Sequence, residues 1–530
     1  MSDPLSLIST RASPQDRPAD DRQVPNSAGG YAFTVTAAAR LHRFLTLGTE
    51  GGTYYASERE ITAKNAAVVL RMAREDAAAL TAAVVAVSRA GRAPRNNPAL
   101  FALAAAASLG DDDGRRAALD ALPLVARTGT HLFLFGRYVQ QFRGWGRGLR
   151  RAVGDWYLAK DPGDLAYQVL KYRQREGWAH RDMLRLAHPA GTGTHRALFD
   201  WICGREADLA DLPLVRAYTA AQVATTVAAW VALIGEHRSL SWEMLPDAAL
   251  TEPDVWRALL AGGLPQTALM RQLPRLTRLG VVGPADLATT KAVATRLADR
   301  DRLVKARVHP VSVLLALRTY ASGHGARGSG EWTPAAAITD ALDAAFYAAF
   351  AAVEPAGKRT LLALDVSGSM TQAVSGLPLT CREASAALAL VTAATESYAF
   401  VGGFTAGAGG FTPLDISPRQ RLDDAIGKVS GLPFGGTDCA LPMLWAAEHG
   451  LEIDHYSVYT DNETWAGQVH PHQALRAYRE KTGIDARLSV VGMTATNFTI
   501  ADPDDPGTLD VSGFDSAVPS LLADFARGDI

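Results

Sequence analysis

Cysteine is almost missing from this 530-residue sequence: Cys203, Cys381 and Cys439 stand far apart, with no Cys-x-x-Cys pair. That excludes a disulfide framework and a thiolate metal centre, and it fits a reducing, cytoplasmic setting. No apolar run approaches the roughly 18 residues that span a bilayer, so no membrane role is expected. The opening stretch MSDPLSLISTRASPQDRPADD lacks the basic-then-apolar order of a secretory signal. Net charge is nearly absent as well, at −2.

That near-neutrality conceals a split. Residues 1–357 carry 42 Lys/Arg against 34 Asp/Glu, whereas residues 358–530 carry 11 against 21. Two modules with different ligands are implied, a phosphate-rich one for the first and a cation for the second. A chain this long also exceeds one ordinary core. Residues 1–28, polar and rich in Pro, Asp and Ser, are expected to be disordered.

From about Ala37 to Ala352 the pattern is helical. Ala/Leu-rich segments at about 98–109, 114–126, 130–143, 147–160 and 163–176 are separated by short loops such as GDDDG, RTGT and KDPGD. Helices of that length with short connections predict antiparallel pairs stacked into a solenoid, although no tight repeat is visible. Near Lys358 the texture changes. RTLLALD, SYAFVGGF, HYSVYTD and ARLSVVGM read as strands alternating with helices, which predicts a mostly parallel sheet covered on both faces. Ligands of such sheets sit at the carboxyl ends of the strands, where Asp365 and Asp461 fall.

In DVSGSM, alternation along an extended segment is expected to bring Asp365, Ser367 and Ser369 to one side, with Gly368 allowing a tight turn. Thr437 in FGGTDC and Asp461 in YTDNET can join them. Hydroxyl and carboxylate oxygens without His or Cys make a hard-cation set, best suited to magnesium. Rival readings are a helix N-cap and a covalent aspartyl nucleophile at Asp365. A serine nucleophile elbow is excluded, because the stretch is not Gly-x-Ser-x-Gly. With Asp365, Ser367, Ser369, Thr437 and Asp461 all present, residues 358–530 resemble a von Willebrand factor A domain with a metal-ion-dependent adhesion site. The resemblance implies an open coordination position that accepts an acidic group from a partner.

The helical half has a dense basic stretch from Phe142 to His188, with ten Lys/Arg against five Asp/Glu interleaved with Trp145, Trp156, Tyr157, Tyr172 and Trp178. Arg147 and Arg151 are spaced i,i+4, as are Lys171 and Arg175, so each pair is expected to share a helix face. Cations with aromatics suit a polyanion with stacking bases; a solvated face over core tryptophans is the alternative. Arg271, Arg275 and Arg278 form a second basic row, interrupted by Pro274.

Long strings, among them LHRFLTLGTEGGTYYASEREIT, KYRQREGWAHRDMLRLAH, VEPAGKRTLLALDVSGSM and TDNETWAGQVHP, resemble the Ro autoantigen, or TROVE-domain, family from about residue 28 onward. The resemblance implies a HEAT-like helical ring over residues 29–357, closed by an A domain over 358–530. It implies Y RNA, or a similar small noncoding RNA, on a basic outer surface at Lys171, Arg175 and His188. Single-stranded ends of misfolded RNA would enter a central hole, to which Arg271 and Arg275 are assigned. It also implies polynucleotide phosphorylase as a bacterial partner. The resulting expectation is a non-enzymatic RNA-binding scaffold in noncoding-RNA quality control or degradation, with no DNA partner. A protein-interaction adaptor and a metal-dependent phosphohydrolase remain as rivals.

Overall fold

The structure, a computed structural model, describes residues 12–47, 58–91, 96–325, 330–374, 379–406, 410–433, 435–493, 496–514 and 518–529. Two short strands, β1 (Gln23–Pro25) and β2 (Tyr31–Thr34), lead into a mostly helical array that begins with Ala37–Leu47 and ends with Ala336–Ala348. A hairpin of β3 (Gln174–Arg175) and β4 (Trp178–Ala179) interrupts it. The Asn97–Leu109 helix is apolar on nearly every side, and such a helix must be surrounded. It packs against Glu58–Glu75, Ala77–Arg89 and Gly129–Phe142. The glycines of GDDDG let this packing close: a Cβ at Gly110 or Gly114 would come within 2.5 Å of the Ala77 Cβ.

From Thr360 onward the described residues form the expected α/β domain. Its sheet runs β11 (Thr508–Ser512), β9 (Arg487–Gly492), β8 (His455–Thr460), β5 (Thr360–Asp365), β6 (Ala399–Phe404), β7 (Phe411–Pro413). All neighbours are parallel except the β6–β7 edge pair. The buried strands β5 and β8 lie side by side, while the chain leaves β5 toward β6 on its other flank. Their carboxyl ends therefore form a crevice at a topological switch point.

Both ends of the helical array land on this domain, so the array closes into a ring. At its start, the Ala37–Leu47 helix meets β11 through buried Arg43, whose guanidinium pairs bidentately with Asp510 and donates to Thr496 O at 2.6 Å. At its end, Arg421 pairs with Asp343 at 2.6 Å and lies over the Tyr347 ring, whose hydroxyl accepts from Leu422 N–H at 2.8 Å.

Three local expectations change. Residues 12–28, expected to be disordered, are ordered against the A domain; residues 1–11 lie outside the described residues. Here β1 pairs with β2, which pairs with β10 (Phe498–Thr499), and polar side chains of the segment find buried partners that its composition cannot reveal. The 114–126 helix divides into Asp112–Asp120 and Leu122–Val125, because Pro123 has no N–H to continue the first ladder. The 163–176 helix stops at Lys171; Glu176 and Gly177 take positive φ (56° and 80°) and turn the chain into β4. Lys171 and Arg175 therefore share no helix face.

Several histidines are buried neutral. His180 packs on Phe133, and its Nδ1 shares a hydrogen bond with the Tyr157 hydroxyl at 2.7 Å; burial holds the imidazole down at about 3. Burial likewise holds His131 and His309 at about 4, and His455 at about 3. Below pH 6.5 the unfolded chain takes up these protons and the folded one does not. Stability is therefore fully present above about 6.5 and is lost as pH falls toward 4, at up to about 1.4 kcal/mol per pH unit for each such imidazole. Urea unfolding across pH 7.5 to 4.5 checks this. A flat profile down to pH 5 contradicts it.

Candidate metal centre and nucleic-acid interface

At the carboxyl end of β5, Asp365 is fully buried. Its Oδ1 accepts from Ser367 N–H at 2.8 Å, and its Oδ2 from the Thr460 hydroxyl at 2.7 Å. The chain does not stay extended to Ser369 as expected. A 3₁₀ turn, Gly368–Thr371, starts after Ser367, and the turn brings the Ser367 and Ser369 hydroxyls to 3.0 Å. Gly368 is not required by geometry: a Cβ there meets nothing within 4 Å.

Thr437 and Asp461, both buried, line the same opening of about 580 Å³ with Ser367 and Ser369. Trp465 N–H and Ala466 N–H donate to Thr437 O at 3.0 and 3.1 Å, which ties the Thr437 loop to the loop carrying Asp461. Four of the five expected residues thus line one opening, and Asp365 lies outside its lining, hydrogen-bonded to the Ser367 backbone.

Burial, with the Asp461 charge second, pushes the Asp365 carboxyl up to about 7. The same two causes push Glu463 up to about 7. No Lys or Arg lines the opening among the described residues, and Glu463 Oε1 is buried without a hydrogen-bond partner. Carboxylates crowded beside three hydroxyls, with an orphan oxygen and no lining cation, fit a divalent ion.

Sequence reasoning missed several supports. Gln15, fully buried, donates to Asp438 Oδ1 and Val469 O at 2.7 Å each and accepts from the Thr464 hydroxyl. Ala28 N–H donates to Glu463 Oε2 at 3.0 Å. Asn462, buried at φ 67°, kinks the chain just after Asp461. Arg382 donates to Val366 O and Ser367 O at 3.1 and 3.3 Å. Glu463 was visible in TDNET; nothing local marks Gln15.

The exposed cations expected to meet RNA lie on three elements, and Arg151 shares its opening with Asp112, Asp120 and Asp155. Arg147 and Arg151 are exposed on the Arg147–Leu158 helix, where Arg151 lies 3.9 Å from Asp155. Arg175 is exposed on the hairpin. His188, exposed at φ 50°, ends the His180–Ala187 helix. Arg150, Arg181 and Arg185, not singled out from sequence, are exposed alongside and make no ion pair among the described residues. Trp145 and Trp178, half-buried with ring centroids 5.6 Å apart, brace the hairpin against the preceding helix end.

Lys171 is different. Its ammonium donates to the Tyr167 hydroxyl at 3.2 Å and lies 3.7 Å from Glu243, in a cleft and not on the open face. Arg271 is exposed on the Gln266–Arg278 helix, which runs through Pro274 unbroken. Arg275 is half-buried over Trp256 and Trp242, 5.6 and 6.0 Å from their ring centroids, and serves as packing.

The architecture defines a class: a ring of helices closed by an A-type domain whose strand ends gather hydroxyl and carboxylate side chains. Comparison narrows it. The TROVE domain family matches residues 24–226 and 233–318, and the Ro60 vWA domain family matches 359–526. The RNA-binding protein RO60 of Deinococcus radiodurans is 44% identical over 99% of both chains. That of Caenorhabditis elegans is 36% identical over 96% of this chain and 91% of its own. The crystal structure of the Deinococcus radiodurans RO (RSR) protein superposes with a TM-score of 0.77 at 44% identity, covering 93% of this chain and all of that one. The chain belongs to the Ro60, or TROVE-domain, family.

Proposed function

We propose that this protein is a non-enzymatic RNA-binding scaffold. It holds Y RNA or a similar small noncoding RNA on its outer basic face and single-stranded ends of misfolded RNA at the hole of the ring, in cytoplasmic RNA quality control or degradation. The observation that carries the reading is the near full-length, 44% identity to a protein named for RNA binding. The exposed arginines of the Arg147–Leu158 helix, the hairpin and the His180–Ala187 helix support it, since clustered cations neutralise phosphates. Asp365 is a poor nucleophile here: it is fully buried with both oxygens engaged, which weighs against a phosphohydrolase.

Asp365, Ser367, Ser369, Thr437 and Asp461 would hold magnesium, which would supply an electrophilic position for an acidic group of a docking partner. The exposed Trp465 on the rim offers apolar contact beside it. A ribonuclease partner such as polynucleotide phosphorylase fits the degradation role.

The test is filter binding of a structured small RNA over a salt series. Wild type is expected to lose affinity steeply with salt. Arg147→Ala/Arg151→Ala/Arg175→Ala is expected to lower the slope by about 2, at roughly 0.7–0.9 for each phosphate no longer neutralised. Asp365→Ala should leave the slope unchanged. A flat wild-type response sinks the RNA reading, and an equal reduction in Asp365→Ala moves the RNA to the metal site.

A further inference from the structure

Lys171 lies outside the open basic face, and its surroundings are those of a small recognition site. Behind it the Pro162–Lys171 helix and the loop 238–243 enclose a cleft of about 150 Å³. Its floor is apolar, with Leu264 and Leu259 buried there. Tyr167 and Trp242 contribute half-buried aromatic rings to its walls. Trp242 is held by Trp256, ring centroids 6.3 Å apart, and by the Arg275 guanidinium, neither of which lines the cleft. The 3₁₀ turn Trp242–Met244 is fixed by Met244 N–H donating to Ser241 O at 2.9 Å, so the ring is preset.

The polar groups are few and convergent. The Ser241 hydroxyl is buried without a hydrogen-bond partner, and the Glu243 carboxylate lines the same space. Lys171 and the exposed Arg238 supply two cations to the lining.

We propose that this cleft takes one unpaired nucleobase of a bound RNA. An apolar floor, preset aromatic walls, a hydroxyl and a carboxylate able to meet a base edge, and cations for the adjoining phosphate are the parts that unstacked bases require. Glu243 accepts and does not donate, so it meets a base through an N–H: the exocyclic amine of adenine, guanine or cytosine, or the ring N–H of guanine or uracil. The inference rests on the RNA-binding reading and extends it: the arginine face holds the backbone, while the Lys171 cleft selects an unpaired position. Lys171 contributes through the cleft and not as one more exposed phosphate contact.

The experiment uses the full chain and two RNA hairpins, identical except that one carries a single unpaired fluorescent purine and the other is fully paired. Wild type should quench the purine on binding and prefer the unpaired hairpin. Ala268→Trp places an indole into the cleft from the Gln266–Arg278 helix. It should abolish the quenching and weaken the unpaired hairpin about 10-fold, the scale of removing one base stack, leaving the paired hairpin unchanged. Ser239→Trp, at an exposed rim position, serves if the first variant does not fold. Unaltered quenching and affinity in a folded plugged variant overturn the cleft while the RNA reading stands. Equal wild-type affinity for the two hairpins without quenching does the same. A wild-type chain that binds neither hairpin overturns the RNA reading itself.

Discussion

Arg43→Ala is expected to destabilise the protein by about 3–5 kcal/mol, the cost of leaving one member of a buried ion pair without its partner. Arg43 is 3% exposed and Asp510 9%, so solvent screens neither charge effectively. The guanidinium donates three hydrogen bonds, two to Asp510 and one to Thr496 O, and all three acceptors belong to the A domain. The substitution strips the seam between the first helix of the array and β11, where the ring closes. Arg43→Met with Asp510→Asn should recover much of the stability, because it removes both charges together. Urea unfolding gives the energies, and hydrogen exchange over residues 37–47 locates the opening. A cost below about 1 kcal/mol for Arg43→Ala, the scale of a surface pair, would show that the seam is held by something else.

Asp365→Asn is expected to reverse sign with magnesium. In wild type a bound cation stabilises the folded state by mass action, about 2.7 kcal/mol at an ion concentration 100 times its Kd. Without the ion, Asp365 is a desolvated carboxylate beside Asp461, an arrangement that opposes folding. The asparagine keeps an acceptor for Ser367 N–H and a partner for the Thr460 hydroxyl, and removes the repulsion. The variant should therefore melt above wild type in chelator and below it in excess magnesium. Parallel thermal melts in the two conditions decide the point. A wild-type melting temperature indifferent to magnesium, calcium and manganese would remove the metal from the A domain.

Much of this molecule was legible in residue order. The Ala/Leu-rich run NPALFALAAAASL announced a helix, and RTLLALD and HYSVYTD announced strands covered on both faces. These patterns reflect local periodicity and burial, which a window of sequence contains. The five oxygen-bearing residues of the A domain were legible for a related reason. Strand ends of a parallel sheet share one edge, so Asp365 and Asp461 had to meet once β5 and β8 were neighbours.

What failed to read was whatever depended on distant partners. The first 28 residues look unfoldable alone, yet Gln15 is buried because Asp438, Val469 and Thr464 wait more than 400 residues away. Lys171 and Arg175 looked like one helix face, but the helix ends at Lys171 and Arg175 falls on a hairpin strand. Lys171 then went into a cleft and Arg175 onto the surface. Arg275 looked like a free cation of a basic row and is packed on two tryptophans.

By itself, the sequence determined the two modules, their element types and which oxygen-bearing side chains meet at the strand ends, because hydrophobic periodicity and strand-end position are local properties. Only the tertiary structure decided that the ring closes through Arg43 and Asp510, that the N-terminal segment braces the loops of Asp438 and Glu463, and which cations face solvent. Those outcomes turn on charges and amides being desolvated together. That cost is offset only when groups far apart in the chain arrive at the same place.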